Sequence, residues 1–176
     1  NLQVFFNMTA IENVMTGRHL REQGSLLASL LRLPSLVRAE AACREAARRL
    51  LCAVGLAAYE DAAADSMPYG ALKRLEIARA LAAEPKLLLL DEPAAGLNAT
   101  EAHEIDTLIK RLAAAGTTVV LVEHNMKLVM GVSDRVTVLD RGRKLAEGTP
   151  DEVARDPRVV EAYLGAADGA SGAAHA

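Results

Sequence analysis

Two adjacent carboxylates, Asp91 and Glu92, follow four leucines and precede Pro93. The short apolar run Lys86–Leu90 predicts a strand buried on both faces. In α/β sheets ligands collect beyond the carboxyl ends of strands, so both acids fall where a site is expected. Side chains alternate along a strand, so one carboxylate can hold a hydrated Mg²⁺ while its neighbour reaches an attacking water. Mg²⁺ takes few carboxylates alongside waters and phosphates, which suits Asp91. Glu92 would then be the general base, a contribution on the order of 10²–10⁴ in rate. By themselves, however, two acids before a proline equally well do no more than end a strand.

Two further places bear on chemistry. Tyr69-Gly70 opens the helical pattern Leu72–Leu81, and a helix N-terminus offers free N–H groups and about half a positive charge to an anion. Glycine there lets backbone approach a phosphate closely, although an ordinary turn before a helix reads the same way. His124 ends the apolar, β-branched run Thr117–Glu123. A lone histidine is more often structural, yet this one stands at a strand end next to the strand of Glu92, which favours a functional role.

These residues need elements to position them. Thr9 is placed to cap a helix carrying Ile11, Val14 and Met15, with Glu12 at the capping-box position. Leu26-Leu27 and Leu30-Leu31 continue a helical pattern that breaks at Pro34. An Ala/Arg/Glu-rich helix runs from about Arg38 to Val54, and Gly55 ends it. After the strand at 86–90 come an amphipathic helix over 100–115 ending at Gly116, the strand Thr117–Glu123, a helix over Met126–Val132 and a third strand, Arg135–Leu139. Asp140–Arg143 reads as a hairpin turn returning through Lys144–Glu147. Two short helices follow, the first capped at Thr149 with Pro150 at its first position. Residues beyond Gly165 are Ala/Gly/Ser-rich, the composition of a disordered tail. Strands alternating with helices imply a parallel sheet with crossovers. The fold class is therefore α/β, divided into a mostly helical subdomain over 1–85, a partial α/β core over 86–165 and a tail over 166–176.

The totals limit the function classes. The chain has 176 residues, 51% of them hydrophobic and only 3% aromatic, with a net charge of −3. That suits one domain or a large part of one, with a core of Leu, Val, Ile and Ala. Acids and bases are interspersed and no basic field is available for a nucleic acid. Cys43 and Cys52 lie nine residues apart on a predicted helix, beyond disulfide reach, and read as ordinary buried thiols of a reducing compartment. No apolar run reaches the roughly 18–20 residues that span a bilayer. Residue 1 is Asn rather than Met and no leader pattern follows, which points to a fragment.

Taken together, the motifs resemble the ABC ATPases. Leu87-Leu-Leu-Leu-Asp-Glu-Pro-Ala-Ala-Gly-Leu-Asn98 is similar to that family's Walker B strand and D-loop. Met67-Pro-Tyr-Gly-Ala71 followed by Leu72–Leu81 is similar to its signature loop and helix, and Val122-Glu123-His124 to its switch histidine. The resemblance runs from residue 1 to about Gly165. It implies a P-loop NTPase-like core, ATP and Mg²⁺ as cofactors, Asp91 as the metal ligand, and Glu92 and His124 as catalytic residues. Tyr69, Gly70, Gly96, Leu97 and Asn98 would be nucleotide-binding. Asn7–Val14, Glu76–Arg79, Glu123–Met130, Gly148–Pro150 and Glu161–Gly165 narrow the likeness to the ATP-binding subunit of branched-chain amino acid importers. That implies partners in a second ATPase subunit and membrane permeases, peripheral attachment at the cytoplasmic face of the membrane, and no nucleic acid. Residues 15–65 would dock on the permease, though their Ala/Leu stripes read equally well as helical core.

The likeness has departures. Pro68 stands where the family has Ser or Ala, and Ala71 where it has Gln, which removes a backbone N–H, a hydroxyl and a side-chain amide. No G-x-x-x-x-G-K-[ST] sequence occurs, so the glycine nest and lysine that cradle phosphates are not supplied by these residues. Asn1 aligns just after the family's Q-loop glutamine, so Gln3 is not that residue. The expectation is an N-terminally incomplete cassette. Alternatives are a catalytically inert partner-binding module and an ATPase of the lipopolysaccharide-export type, which shares the Tyr-Leu-Gly ending. A DNA-repair or translation ATPase is disfavoured by the lack of basic patches and of a second cassette.

Overall fold

The side-chain oxygen of Thr9 accepts the Glu12 N–H, while the Glu12 carboxylate accepts the Thr9 N–H at 2.8 Å, so helix α1 (Ala10–Gly17) begins with the expected reciprocal cap. Its next free donors, the N–H groups of Ala10 and Ile11, reach the carbonyls of Ala62 and Glu60, which leaves few first-turn donors unmet. The computed structural model describes residues 2–19 and 34–162, and the chain falls into two units, Asn1–Val120 and Leu121–Ala176. The expected helical pattern at Leu26–Leu31, the Tyr163–Gly165 ending and the tail over 166–176 lie outside the described residues.

In the first unit α1 packs on two helices, α2 (Pro34–Ala53) and α3 (Tyr69–Leu81). Ile11 and Val14 are wholly buried there, as are Leu51, Leu56 and Leu75. Gly17 is where α1 presses on α3: a Cβ would collide with the Arg79 carbonyl oxygen. Among the described residues Asn13 is the buried polar exception, and both ends of its amide are used. Its Oδ1 accepts the Phe5 N–H at 2.8 Å, and its Nδ2 donates to the carbonyls of Phe5 and Thr9 at 2.9 and 3.0 Å. Asn13 thus holds the extended segment before α1 as a strand partner would.

Helix α2 starts at Pro34, four residues earlier than its composition suggests, since proline is tolerated in a first helical turn. It ends as expected at Gly55, which has φ +73°. The Leu56 N–H returns to the Leu51 carbonyl and the Gly55 N–H to that of Cys52, the paired bonds of a Schellman end. Cys43 is buried, but Cys52 is exposed, correcting the expectation of two buried thiols. Nine residues are two and a half helical turns, so the two face opposite ways. Arg48 grips the Glu60 carboxylate through Nε and Nη2 at 2.6 to 2.9 Å.

Beyond α3 come β1 (Leu87–Asp91), α4 (Ala99–Ala114) and β2 (Thr118–Val122), with β1 and β2 paired. The Thr118 N–H donates to the Lys86 carbonyl, so the two strands begin side by side. Strand β1 is not buried on both faces as expected. Leu88 and Leu90 are buried, whereas Leu87 and Leu89 are 51% and 68% exposed. Apolarity alone reported a strand but not that one side of it is uncovered among the described residues.

The second unit holds α5 (Met126–Val132), β3 (Val136–Asp140), β4 (Arg143–Gly148), α6 (Pro150–Ala154) and a helical stretch over 157–162. Strand β3 does not continue a parallel sheet. It pairs antiparallel with β4, register Val136 to Gly148 and Asp140 to Arg143, with an irregularity at Val138/Leu139. A tight turn explains this: Arg141 and Gly142 have φ +46° and +77°, the two left-handed residues that join strands into a local hairpin. Val136, Ala146, Val153 and Val159 form its core. Helix α6 is capped by Thr149, with Glu152 completing the box. Among the described residues no helix is long and apolar enough to cross a membrane.

Candidate active site

In the first unit the chain brings α3, the end of β1 and the turn that follows it, as far as Ala95, around one open cavity of about 460 Å³. Tyr69, Lys73, Glu76, Asp91 and Glu92 line it, with Gln3 at one side. The Gln3 N–H donates to Glu76, and Arg79 stacks on the Phe5 ring, so the segment before α1 lies along α3. Asp91 is the last residue of β1 and is exposed; Glu92 is exposed just beyond it.

Glu92 does not continue the strand. Its φ is +44°, a left-handed conformation uncommon outside glycine. The alternation expected to send the two carboxylates opposite ways therefore stops at Asp91, and the direction of Glu92 is set by the turn. The Glu92 carbonyl accepts the Ala95 N–H at 3.1 Å, and Leu97 N–H goes to Ala94. Gly96 (φ +77°) closes the turn, and Asn98 then caps α4, accepting the N–H groups of Thr100 and Glu101 at 3.0 Å each. Glu101 returns to the Asn98 N–H at 3.1 Å. The sequence Asn-x-x-Glu carries that capping signature, and sequence reasoning passed over Glu101.

Tyr69 and Gly70 form the first turn of α3 rather than a loop before it, with Pro68 at the cap and no side-chain cap hydrogen bond. Tyr69 is 45% exposed and Gly70 is buried. A Cβ on Gly96 would meet the Tyr69 ring at 3.2 Å, and one on Gly70 would meet the Glu101 carboxylate at 2.5 Å. The close approach that demands glycine at 70 is thus to a carboxylate of α4. Lys73, also unremarked in the sequence, extends its ammonium to 3.4 Å from the Glu92 carbonyl and 5.9 Å from the Tyr69 ring centre. The structure therefore brings together Tyr69, Gly70, Asp91, Glu92, Gly96, Leu97 and Asn98.

His124 belongs to the second unit. It is exposed just after β2, where its N–H and that of Asn125 turn back to the Glu123 carboxylate at 3.2 and 3.4 Å. Asn125 caps α5 through Leu128 N–H. Among the described residues no three His, Cys, Asp or Glu side chains converge as a metal cage. A single strand-end carboxylate nonetheless fits Mg²⁺, which is held largely by water and phosphate.

A strand ending in one acid, a second acid opening the tight glycine turn that follows, and a flanking helix that begins with Tyr-Gly make the arrangement of an ATP-binding cassette. Residues 1–95 match the ABC transporter family, and residues 143–169 match the branched-chain amino acid ATP-binding cassette transporter family. The chain belongs to the ABC transporter family. It is 43% identical over 168 residues to the high-affinity branched-chain amino acid transport ATP-binding protein LivG of Escherichia coli (strain K12), covering 95% of this chain and 66% of that protein. The corresponding BraF protein of Pseudomonas aeruginosa is 41% identical over the same shares. A solved ATP-binding cassette of an ABC transporter in its ADP conformation superposes with a TM-score of 0.71 at 31% identity, covering 90% of this chain and 63% of that one. The chain thus spans just under two thirds of the length of these curated relatives.

Proposed function

We propose that this chain supplies the hydrolytic and coupling part of an ATPase that drives a branched-chain amino acid importer. The observation that carries the reading is Glu92, held in a left-handed turn at the end of β1 and on the wall of the cavity shared with the first turn of α3. In this reading Asp91 holds Mg²⁺, and Mg²⁺ when bound neutralises developing charge on the phosphates. Glu92 takes the proton of the attacking water, and His124 contacts the terminal phosphate. Tyr69 and Gly70 present the start of α3 to nucleotide carried by a second ATPase subunit. The turn through Gly96, Leu97 and Asn98 lies beside them. Permease subunits at the membrane receive the resulting motion, which gives the protein its cytoplasmic-face location.

The branched-chain assignment, rather than lipopolysaccharide export, is supported by the match at 143–169 and by likeness to LivG and BraF across 95% of the chain. Two measurements test the whole. ATP hydrolysis by the complete subunit in its transporter falls by about 10²–10⁴ in Glu92→Gln; unchanged turnover would return the chain to the inert-module reading. Leucine uptake by cells carrying the unaltered transporter tests the solute class, and cells that import no leucine overturn it; uptake stops with the same substitution.

A further inference from the structure

We propose that Lys73 is a positioning residue for Glu92, one half of a grip by which α3 holds both ends of the turn that presents the carboxylate. This rests on the hydrolytic reading of Glu92 given above.

The grip is built from two side chains on one helix face. Tyr69 and Lys73 are four residues apart on α3, the spacing that places side chains one above the other. Lys73 Nζ lies 3.4 Å from the Glu92 carbonyl oxygen, at the start of the turn. The Tyr69 ring stands against Gly96, at its end, closely enough that a Cβ there would be 3.2 Å away. The ammonium also lies 5.9 Å from the Tyr69 ring centre, so the two halves support each other. Lys73 is half-buried, on the wall of the cavity that Asp91 and Glu92 line.

Between these anchors Glu92 keeps φ +44°, a conformation that a glutamate before proline does not choose unaided. Its carbonyl is held from two sides, by the Ala95 N–H at 3.1 Å and by Lys73. An ammonium has three donors and no acceptor, so it can face a carbonyl and a ring together. The first turn of α3 and the backbone at 92 therefore move as one. If the start of α3 meets nucleotide on a second subunit, Lys73 carries that event to the base of its own subunit.

The test uses the complete subunit assembled in its transporter. Lys73→Met lowers kcat for ATP about 10- to 100-fold with KM for ATP unchanged, the mark of a misplaced group rather than lost binding. Lys73→Arg, which keeps a cation of similar reach, restores kcat. Amide exchange over residues 91–97, read by mass spectrometry, rises in Lys73→Met and not in Lys73→Arg. An unchanged kcat in Lys73→Met, a loss carried in KM, or a failure of Arg to rescue overturns the proposal. Glu92→Gln is run alongside. If it leaves turnover intact, the hydrolytic reading falls by itself, and the exchange measurement alone decides the grip: faster exchange in Lys73→Met upholds it, unaltered exchange overturns it.

Discussion

The Cα of Gly70 faces the carboxylate of Glu101 so closely that a Cβ would lie 2.5 Å from Oε1 and 2.8 Å from Cδ. Glu101 is not free to swing aside without cost, because its other oxygen accepts the Asn98 N–H that starts α4. The first turn of the tyrosine–glycine helix and the cap of the next helix are therefore packed as one unit.

Gly70→Ala is expected to destabilise the protein by about 1–3 kcal/mol, as overpacking does, although alanine is the better helix former. Glu101→Ala alone loses its half of the cap, about 1 kcal/mol. In the double variant the methyl has room, so the combined loss in urea unfolding is smaller than the sum of the two. Additive losses would contradict the contact.

Glu92 stores backbone strain where the proposed chemistry occurs. Glu92→Gly releases a left-handed conformation that costs about 1–2 kcal/mol and loses part of that gain to unfolded-chain entropy. The expected outcome is a protein more stable by up to about 1 kcal/mol in chemical denaturation, with ATP hydrolysis abolished. A variant less stable than the parent would show that the turn is not strained.

Asn13 makes three hydrogen bonds while fully buried. Asn13→Ala leaves the Phe5 N–H and carbonyl without those partners and is expected to cost about 2–4 kcal/mol. Asn13→Asp sets a carboxylate against the carbonyls of Phe5 and Thr9 and destabilises as well, increasingly as pH rises. Thermal unfolding of the two variants at neutral and acidic pH checks both statements.

Several carboxyls sit below their ordinary range. The main-chain N–H of Thr9 lowers Glu12 and that of Thr149 lowers Glu152, while Arg48 lowers Glu60, Lys144 and Arg135 lower Glu147, and Arg158 lowers Asp156. The unfolded chain then binds protons first as pH falls. The stability these groups contribute is whole above the ordinary glutamate value of 4.5 and drains away as pH drops through the lowered folded values. Unfolding midpoints measured from about pH 6 to about pH 3 should fall, and Glu12→Gln with Glu152→Gln should flatten the slope while keeping the cap acceptors.

The helix starts at Thr9 and Thr149, the helix end at Gly55 and the hairpin at Asp140–Arg143 were legible in the sequence. Each is decided within a few residues by a side-chain oxygen, a positive φ or a turn pair. The acids at the end of β1 were legible for the same reason. What escaped was tertiary. An apolar run does not say whether a partner covers both of its faces, which is why Leu87 and Leu89 surprised. The left-handed backbone at Glu92 is imposed from α3 and the following turn, against the preference of glutamate itself. Lys73 gains its importance only from what lies opposite it in space, and so does the contact of Glu101 with Gly70, although the capping role of Glu101 was written in Asn-x-x-Glu. The hairpin partner of β3 was legible, but alternation of strands and helices wrongly placed β3 in a parallel sheet as well.

The side of β1 left uncovered among the described residues has a practical consequence. Leu87 and Leu89, with Val120 of β2 47% exposed as well, offer an oily sheet face to any planar apolar probe. Naphthalene-sulfonate dyes, whose brightening is ordinarily taken as the mark of a loosened core, will fluoresce on these 176 residues while they are still folded. Dye fluorescence during unfolding should therefore start high and decline, so near-ultraviolet dichroism of its few tyrosines is the safer reporter of native packing.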